Sequence, residues 1–496
     1  MTLRKQQRKQ ELDLPVAEFI SYEKRIVPMK VKTRNHPIFR GLVLLAPIVL
    51  LLFCGGGSPI PTGWDQVLGI LEQIEAPSFP SRDFSIADFG AVGDGVTDCT
   101  DAFRKAIQDC HEAGGGRVVV PEGRFLTGAI HLKSNVNLHL ESGSVILFSK
   151  DRRDYLPTVY TRFEGVECMN YSPMIYAYEQ ENIAVTGSGT LDGQAGPDVW
   201  WPWARKDRYG WNRNEPSQKE DRDRLFEMGE AGVPVEERVF GDGHYLRPNF
   251  IQFYRCRNIL VADLTIMRSP MWEIHPVLSE NVTVRNVHVD SHGPNNDGCN
   301  PESSRNVLIQ GCYFDTGDDC IAIKSGRNGD GRRVNRPSEN IIVRDCNMKD
   351  GHGGVVIGSE MTGGARNIFV ENCSMDSPNL DRALRIKTNS LRGGTVENVY
   401  MRDVQIGEVA DAVVRIFFHY EDGDVGQYTP NVRNIYLQNV TSQKSTYALL
   451  LDGYERSPIR NVVLESCDFR GVEKGNILNH VSGLKMKDVT INGAPQ

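Results

Sequence analysis

An asparagine that precedes alternating apolar residues recurs through most of this 496-residue chain. From Asn258 onward, successive members lie 23, 25, 34, 27, 31, 36 and 27 residues apart, and a longer interval follows the first member. A repeat with loops of variable length is typical of a solenoid, in which each unit packs on its neighbours. The members are Asn182, Asn258, Asn281, Asn306, Asn340, Asn367, Asn398, Asn434 and Asn461.

Each repeat contains short strands with period-two apolarity. Residues 306–309 and 367–370 are examples, and a second apolar pair such as Tyr313 and Phe314 follows after polar residues. Such units indicate coils of parallel strand stacked about 4.8 Å apart. The sequence therefore predicts an all-β fold, a parallel β-helix. The alternative is a β-sandwich with coincidental asparagine turns.

Four cysteines share one position, six residues after the repeat asparagine, where other coils have Leu or Val. A position filled by Leu, Val or Cys faces a dry interior, so we interpret these cysteines as small buried hydrophobes. A disulfide between neighbouring coils stays open as an alternative. The four are Cys312, Cys346, Cys373 and Cys467.

Residues 1–57 are predicted to be an N-terminal extension. The apolar run at residues 42–54 follows Arg34 and Arg40, which is typical of the h-region of a signal peptide. Translation from Met29, lipid attachment at Cys54 and an uncleaved anchor are the alternatives that we weigh. We expect an exported protein that is secreted, periplasmic or anchored to a membrane only through this segment.

The remainder divides into a linker with a short helix at residues 58–82 and a single solenoid domain at residues 83–496. Residues 100–110 have an amphipathic helical pattern, which suits a cap over the open end of a solenoid. The formal net charge of −8 argues against nucleic acid as a partner. We expect a monomer.

An aromatic-rich insertion at residues 197–247 separates the first two repeats. We predict that it closes one end of a groove and admits only chain ends; the alternative is a packed surface subdomain. A basic loop is predicted to receive carboxylates of an acidic oligomer. Its arginines are Arg327, Arg332, Arg333 and Arg336.

Chemistry-bearing residues occur at similar offsets in four consecutive repeats. Because the offsets are similar, we expect these side chains to meet on one outer face, where two carboxylates can act on a glycosidic bond and cations can hold an acidic sugar. For Asp318 and Asp319 to share that face, a turn must redirect one of them. The set is Asp297, Asp318, Asp319, His352, Arg385 and Lys387.

These residues stand in motifs that resemble those of glycoside hydrolase family 28, the polygalacturonases, in their bacterial and plant branch. The family's NTD, DD, GHG and RIK segments appear here in the same order. They differ at one residue only: Asn296 replaces the usual Thr of the first segment. The segments are Asn295-Asn296-Asp297, Asp318-Asp319, Gly351-His352-Gly353 and Arg385-Ile386-Lys387.

The resemblance implies a right-handed, pectin-lyase-like parallel β-helix that hydrolyses α-1,4-galacturonosyl bonds of polygalacturonate with inversion. It makes Asp318 the general acid, supported by His352, and has Asp297 and Asp319 activate water. Asn295, Arg385 and Lys387 would bind substrate. It implies no metal and no organic cofactor.

Three alternatives remain open from the sequence. A rhamnogalacturonan or other pectin hydrolase would share the acids but would not need Arg385 and Lys387 for an uncharged sugar. A pectate lyase would need calcium carboxylates and a basic proton acceptor. A non-catalytic polysaccharide-binding β-helix would have no use for acids, histidine and cations on adjacent coils.

Overall fold

The repeat asparagines form one continuous ladder. In the computed structural model, which describes residues 63–496, their φ angles lie between 53° and 60°, a left-handed conformation that Asn tolerates better than most residues. Each amide Nδ2 donates to Oδ1 of the asparagine one coil earlier, at 2.8–3.4 Å. Asn135 adds an earlier rung by accepting from Asn182. The sequence repeat missed it because Ser134 stands where the others have Arg or Glu.

The ladder lies in the first of three columns of strands, which wind as a parallel β-helix and confirm that prediction. The first column contains Asp83–Ser85, Gly116–Val120, Val136–Leu140, Glu181–Gly187, Arg257–Ala262, Glu280–Arg285, Arg305–Gln310, Ser338–Arg344, Ala365–Glu371, Thr395–Glu408, Asn431–Lys444, Ile459–Glu465, Val481–Ser482 and Lys485–Lys487. The second contains Asp94–Asp98, Gly123–Thr127, Ser144–Phe148, Thr190–Asp192, Thr265–Met267, His288–Ser291, Tyr313–Thr316, Asn347–Met348, Ser374–Met375, Asp468–Phe469 and Thr490–Ile491. Ala494–Pro495 pairs antiparallel with Thr490–Ile491.

The third column carries the residues of interest. Its strands are Ile130–His131, Ile175–Tyr178, Ile251–Tyr254, Ile274–Val277, Ile321–Ile323, Val355–Ile357, Arg382–Lys387, Ala412–Phe417, Tyr447–Asp452 and Ile477–Asn479. Isolated bridges at Cys299 and Glu302 join the strand ending at Val277 to the one beginning at Ile321. A separate small sheet contains Val159–Phe163, Val166–Asn170 and Val239–Phe240.

The interior is filled by apolar residues that stack from coil to coil. Val282, Val307, Ile341 and Ile368 are in register and fully buried. The ten described cysteines are all buried and free, which confirms that the four repeat cysteines act as buried hydrophobes. Cys54 lies outside the described residues.

The predicted cap is present as the helix Thr100–Glu112, whose apolar face, including Phe103 and Ile107, is buried in the end of the solenoid core. The other α-helices are Gln66–Leu71, Lys219–Glu230 and Asn328–Val334. Single 3-10 turns are Gly63–Asp65, Ile86–Phe89, Arg152–Tyr155, Trp201–Ala204, Asp207–Tyr209 and Val235–Glu237.

The short helix Gln66–Leu71, predicted inside a linker, packs on the first column. Val67 and Ile70 are buried against a cluster that includes Phe369 and Tyr400, so residues from 63 onward are fastened to the solenoid. The predicted signal peptide or anchor falls outside the described part of the chain. Within residues 63–496, no helix is both long and apolar enough to span a membrane.

Candidate active site

Four consecutive coils place the predicted site residues at the third column. Asp297 precedes the bridge at Cys299, the Asp318-Asp319 pair precedes Ile321–Ile323, and His352 precedes Val355–Ile357. Arg385 and Lys387 lie on the next strand, Arg382–Lys387. Ile321, Val355 and Leu384 are in register across these coils, so the chain brings the six predicted side chains to one face.

The two adjacent aspartates both reach this face because the chain bends between strands. The second-column strand ends at Thr316, whose Oγ1 donates to the carbonyl of Asp318 at 2.9 Å. A side chain at Gly317 would collide with the carbonyl of Gly293. The backbone amide of Asp319 then donates to Oδ1 of Asp318 at 3.0 Å. The turn expected from the sequence is therefore present.

The three carboxylates form a cluster with an inner and an outer part. One oxygen of each of Asp297, Asp318 and Asp319 lies within 4.8 Å of the others. Two acceptors of one water molecule are separated on this scale, because each accepts at about 2.8 Å. The side chains of Asp297 and Asp319 are 3% and 0% exposed, whereas Asp318 is 14% and His352 41% exposed. Asp297 and Asp319 thus form the buried floor of the cluster, and Asp318 and His352 form its more exposed rim.

Each carboxylate has its own cationic or polar partner. Nζ of Lys387 donates to Asp319 at 2.7 Å, and Arg385 lies 3.6 Å from the same residue. Nδ1 of His352 lies 3.1 Å from Oδ1 of Asp318. Because these contacts join different coils, they fix the relative heights of the groups along the solenoid.

Asp297 is held by two residues that the sequence analysis did not single out. Nδ2 of Asn300 donates to its Oδ2 at 2.8 Å, and the buried Nζ of Lys324 lies 3.5 Å from the same oxygen. Lys324 also donates to Glu360 at 3.1 Å and lies over the Trp272 ring at 4.4 Å. It stands on the outward side of its strand, as Arg385 and Lys387 do, and that parity could have identified it.

Burial and charge set the protonation of the cluster. Burial raises the pKa of Asp297 well above its usual value, and Asp318 and Asp319 add to the rise while Lys324 opposes it. Burial would also raise the pKa of Asp318, but the hydrogen bond and charge of His352, together with the charges of Lys387 and Lys324, outweigh it and leave that pKa lowered. The same hydrogen bond raises the pKa of His352. In the free protein, Asp297 and His352 therefore bind protons more readily than Asp318 does.

A cleft of about 420 Å³ opens over the cluster. The insertion supplies one wall with Ala204, Lys206, Gln218 and Arg222. Burial lowers the pKa of Lys206, and the nearby Asp318 carboxylate opposes that effect. The other lining residues are Asn295, Asp318, His352, Asp381, Arg382, Arg385, Lys387, Tyr420 and Glu421.

The tryptophans of the insertion mostly hold it in place. Trp200 is 1% exposed and belongs to the solenoid core cluster. Nε1 of Trp201 donates to the carbonyl of Ser269 at 2.8 Å, and Trp203 packs at an angle on Trp200. None of these three lines the cleft, so the insertion contributes cations and amides to the cleft wall.

The loop that carries Asn295 and Asp297 is fixed by the residue between them. Oδ1 of the buried Asn296 accepts from the Gly293 amide at 2.7 Å, and its Nδ2 donates to the Met271 carbonyl at 2.9 Å. Oδ1 of Asn295 accepts from the fully buried Arg247 at 2.7 Å. The departure from Thr at position 296 therefore supports the loop. Arg247 had no signal in the sequence, because it lies outside every repeat.

The prediction that the basic loop receives substrate carboxylates is wrong for the arginines with internal partners. Arg327 lies 3.3 Å from Glu360 and 3.3 Å from Glu421. Arg333 bonds Glu167, and Arg332 donates to the Leu391 carbonyl at 3.0 Å. These side chains therefore have acceptors within the protein, although Arg333 stays 43% exposed, and a charge run cannot reveal such partners.

Two groups of three side chains lie close enough to share a cation within residues 63–496: the aspartate cluster, and His292 with Asp315 and Asp350. Two lysine ammonium groups already lie against the aspartate cluster. Both oxygens of Asp350 accept from side chains, Ser377 and Asn379. Neither group gives grounds for assigning a metal.

Comparisons with known proteins agree with the motifs. A family model described as glycosyl hydrolases family 28 matches residues 241–492, and one described as rhamnogalacturonase A/epimerase, pectate lyase-like matches residues 84–145. A probable polygalacturonase of Vitis vinifera is 27% identical over 469 residues, which cover 90% of this chain and 85% of the relative.

Solved structures extend the similarity to three dimensions. A hyperthermoactive exopolygalacturonase from Thermotoga maritima is 48% identical, with a TM-score of 0.86, and the match covers 88% of this chain and 97% of that one. A family 28 exopolygalacturonase of Yersinia enterocolitica is 22% identical, with a TM-score of 0.65 and coverage of 84% and 79%. The second likeness concerns the fold alone.

Proposed function

Because the chain belongs to glycosyl hydrolase family 28, we propose that it hydrolyses α-1,4-galacturonosyl linkages of polygalacturonate, with inversion and from chain ends. The observation that carries this proposal is the cluster of three aspartates beside Arg385 and Lys387 at the base of one cleft. Carboxylates supply the acid and base for glycoside cleavage, and fixed cations select an acidic sugar.

Asp318 is the residue that we assign as general acid. The pKa directions alone would favour Asp297, which burial keeps protonated, but Asp297 lies at the floor of the cluster. Asp318 is the more exposed of the two and lines the cleft. Position decides the assignment, because an acid must reach the leaving oxygen before its pKa matters.

The proton for Asp318 comes from its pair with His352. In the free enzyme the imidazolium and the Lys387 charge help keep this carboxyl ionised. A substrate carboxylate between Arg385 and Lys387 would offset the lysine charge and raise the proton affinity of Asp318. The proton shared across the 3.1 Å contact then moves from His352 to Asp318 and on to the leaving oxygen.

Asp297 and Asp319 hold and deprotonate the attacking water. Both lie at the floor, and their spacing allows one water molecule to donate to two carboxylates. Burial raises the pKa of Asp297 and Lys324 opposes that rise, so Asp297 accepts a proton from the water only after it has lost its own. Donor and base are thus both side chains, and the mechanism uses neither metal nor organic cofactor.

Action at chain ends rests on the wall that the insertion builds. Lys206, Gln218 and Arg222 of the insertion are among the residues that line the cleft. We infer that this wall stops the terminal sugar, while the rest of the polymer leaves past Arg385. The protein would act outside the cytoplasm as a monomer, in keeping with the N-terminal apolar run.

The decisive experiment uses polygalacturonate with a chelator present. We expect reducing sugar to be released, with galacturonate monomer as the product at low conversion and no rise in ultraviolet absorbance. A β-elimination would raise that absorbance, and an open cleft would give mixed oligomers. Nuclear magnetic resonance of the first product reports the anomer.

The matched variants are Asp318→Asn and Asp315→Asn. Loss of the general acid should lower kcat at least about a hundredfold, whereas Asp315 lies outside the cleft and pairs with His292 at 3.0 Å. Unchanged kcat in Asp318→Asn would exclude it as proton donor. Equal losses in both variants would point to a folding defect, which thermal unfolding of each variant would reveal.

A further inference from the structure

Three guanidinium groups crowd together where the cleft runs toward the C-terminal coils. Arg382 and Arg385 belong to one strand, and Arg415 stands on the next, in register with Arg385. The following coil has Leu450 at this height. Arg415 lies just beyond the residues that line the cleft, so the mechanism above leaves it without a role.

Two of the carboxylates nearby are each shared by two cations. Asp411 accepts from both Arg382 and Arg415, at 2.7 and 2.6 Å. The carboxylate nearest to Arg385 is Asp319, 3.6 Å away, which Lys387 already bonds.

Asp381 accepts from Arg382 at 2.9 Å. Asp411 is thus shared by Arg382 and Arg415, and Asp319 is shared by Arg385 and Lys387. Burial lowers the pKa of Arg382, and the charges of Arg385 and Arg415 contribute to that shift. Like charges held together in this way are relieved by an added anion.

An apolar surface accompanies the third arginine. The guanidinium of Arg415 lies 4.9 Å from the centre of the Phe417 ring, and Phe417 is in register with Lys387 on the coil before it. An aromatic ring with a guanidinium over it offers contacts for both the apolar face and the carboxylate of one uronic acid.

The spacing fits a polymer that advances one sugar per coil. Coils rise by about 4.8 Å, which is of the same order as the length of one α-1,4-linked pyranose unit. Since Arg385 and Lys387 hold the sugar next to the cleaved bond, the next sugar on the leaving side falls over the next coil.

We propose that Arg415, with Phe417, binds the carboxylate of the second galacturonate unit on the leaving-group side. This inference rests on the proposed function. It makes the enzyme prefer trimers and longer chains over dimers, because only they reach this coil. Arg415 is then a specificity-determining residue that does not touch the reacting atoms.

The test is the ratio of kcat/KM for trigalacturonate to that for digalacturonate. In Arg415→Gln we expect this ratio to fall about tenfold or more, the loss typical of one charge-assisted hydrogen bond. Arg415→Lys keeps the charge and should recover part of the lost trimer-to-dimer ratio. Arg433→Gln is the control, because that arginine pairs with Glu397 on the first column, away from the cleft; its ratio should equal that of the wild type.

A second measurement needs no variant. Trigalacturonate whose reducing-end carboxyl has been reduced to an alcohol should lose the trimer's advantage with wild-type enzyme and be indifferent to Arg415→Gln. An equal loss for dimer and trimer in Arg415→Gln, or an unchanged ratio, would overturn the inference. If wild-type protein hydrolyses no substrate of any length, the proposed function itself fails.

Discussion

Lys324 offers the sharpest test of how the cluster works. Its buried ammonium lies 3.5 Å from Asp297 and 3.1 Å from Glu360, and the Asp319 charge also acts on it. The variant Lys324→Met keeps the length and apolar body of the side chain but removes the charge. Asp297 would then be buried without its ion-pair partner, and only the more indirect charge of Lys387 would oppose burial, so its pKa should rise further.

The structure sets the size of the effect. Two unit charges 3.5 Å apart interact by about 5 kcal/mol at an effective dielectric constant of about 20. The ammonium is shared with Glu360, so we assign about half, ~2.5 kcal/mol, to Asp297. Because each 1.4 kcal/mol is about tenfold, kcat/KM at a pH where Asp297 must lose its proton should fall roughly 60-fold.

The assay is a pH profile of kcat/KM with digalacturonate. Asp297 acts as a base, so activity is lost as pH falls through its folded pKa, and this acidic limb should move to higher pH in Lys324→Met. Glu360→Gln leaves the ammonium to Asp297 and should move the limb the other way.

Lys349→Met is the control, because the side chain of that exposed lysine bonds only the Asp376 carbonyl among the described residues. A folded Lys324→Met protein with the wild-type profile would refute the role that we give to Lys324.

Three further predictions concern other parts of the molecule. The pKa of His352 is raised by Asp318, so its proton is fully present below about pH 6.5 and lost as pH rises through the higher folded value; kcat should decline on that alkaline side, and His352→Asn should abolish this dependence. Asn367→Ala and Asn367→Gly both lose the bond to Asn340, but only Ala is strained at φ near 57°, so thermal unfolding should show Asn367→Ala to be less stable than Asn367→Gly by about 1–2 kcal/mol. Equal unfolding midpoints would contradict the backbone argument. Cys346→Val should cost less than about 1.5 kcal/mol in urea unfolding, while Cys346→Ser should cost about 1–3 kcal/mol, and a reversed order would show that the thiol does more than fill space.

Much of the fold could be predicted because its rule is local and repeated. Every coil needs a residue that tolerates left-handed backbone at one corner, and asparagines such as Asn306 and Asn367 mark that corner in the sequence. The cap helix had a clear amphipathic pattern for the same reason. The attachment of Gln66–Leu71 to the solenoid had no such signal, because it joins segments more than 200 residues apart.

The site was predictable only where the chemistry sits on the repeat. Asp318 and Lys387 could be placed by their offsets within a coil. Arg247 and Lys206 could not, since they come from an insertion whose path depends on the buried Trp200. The inward pairing of Arg327 with Glu360 was missed because a run of basic residues does not show where its partners lie.

The asparagine ladder has a consequence for how this architecture can change. Each coil is held to the next by the asparagine at its corner, so residues inserted between two of these asparagines need not displace the neighbouring coils. Asn182 and Asn258 lie 76 residues apart in the sequence, and their side chains still bond at 3.0 Å. Substrate specificity, which depends on the inserted loops, can therefore change in evolution while the catalytic side chains keep their positions along the solenoid. Grafting a loop from a relative should leave those side chains aligned.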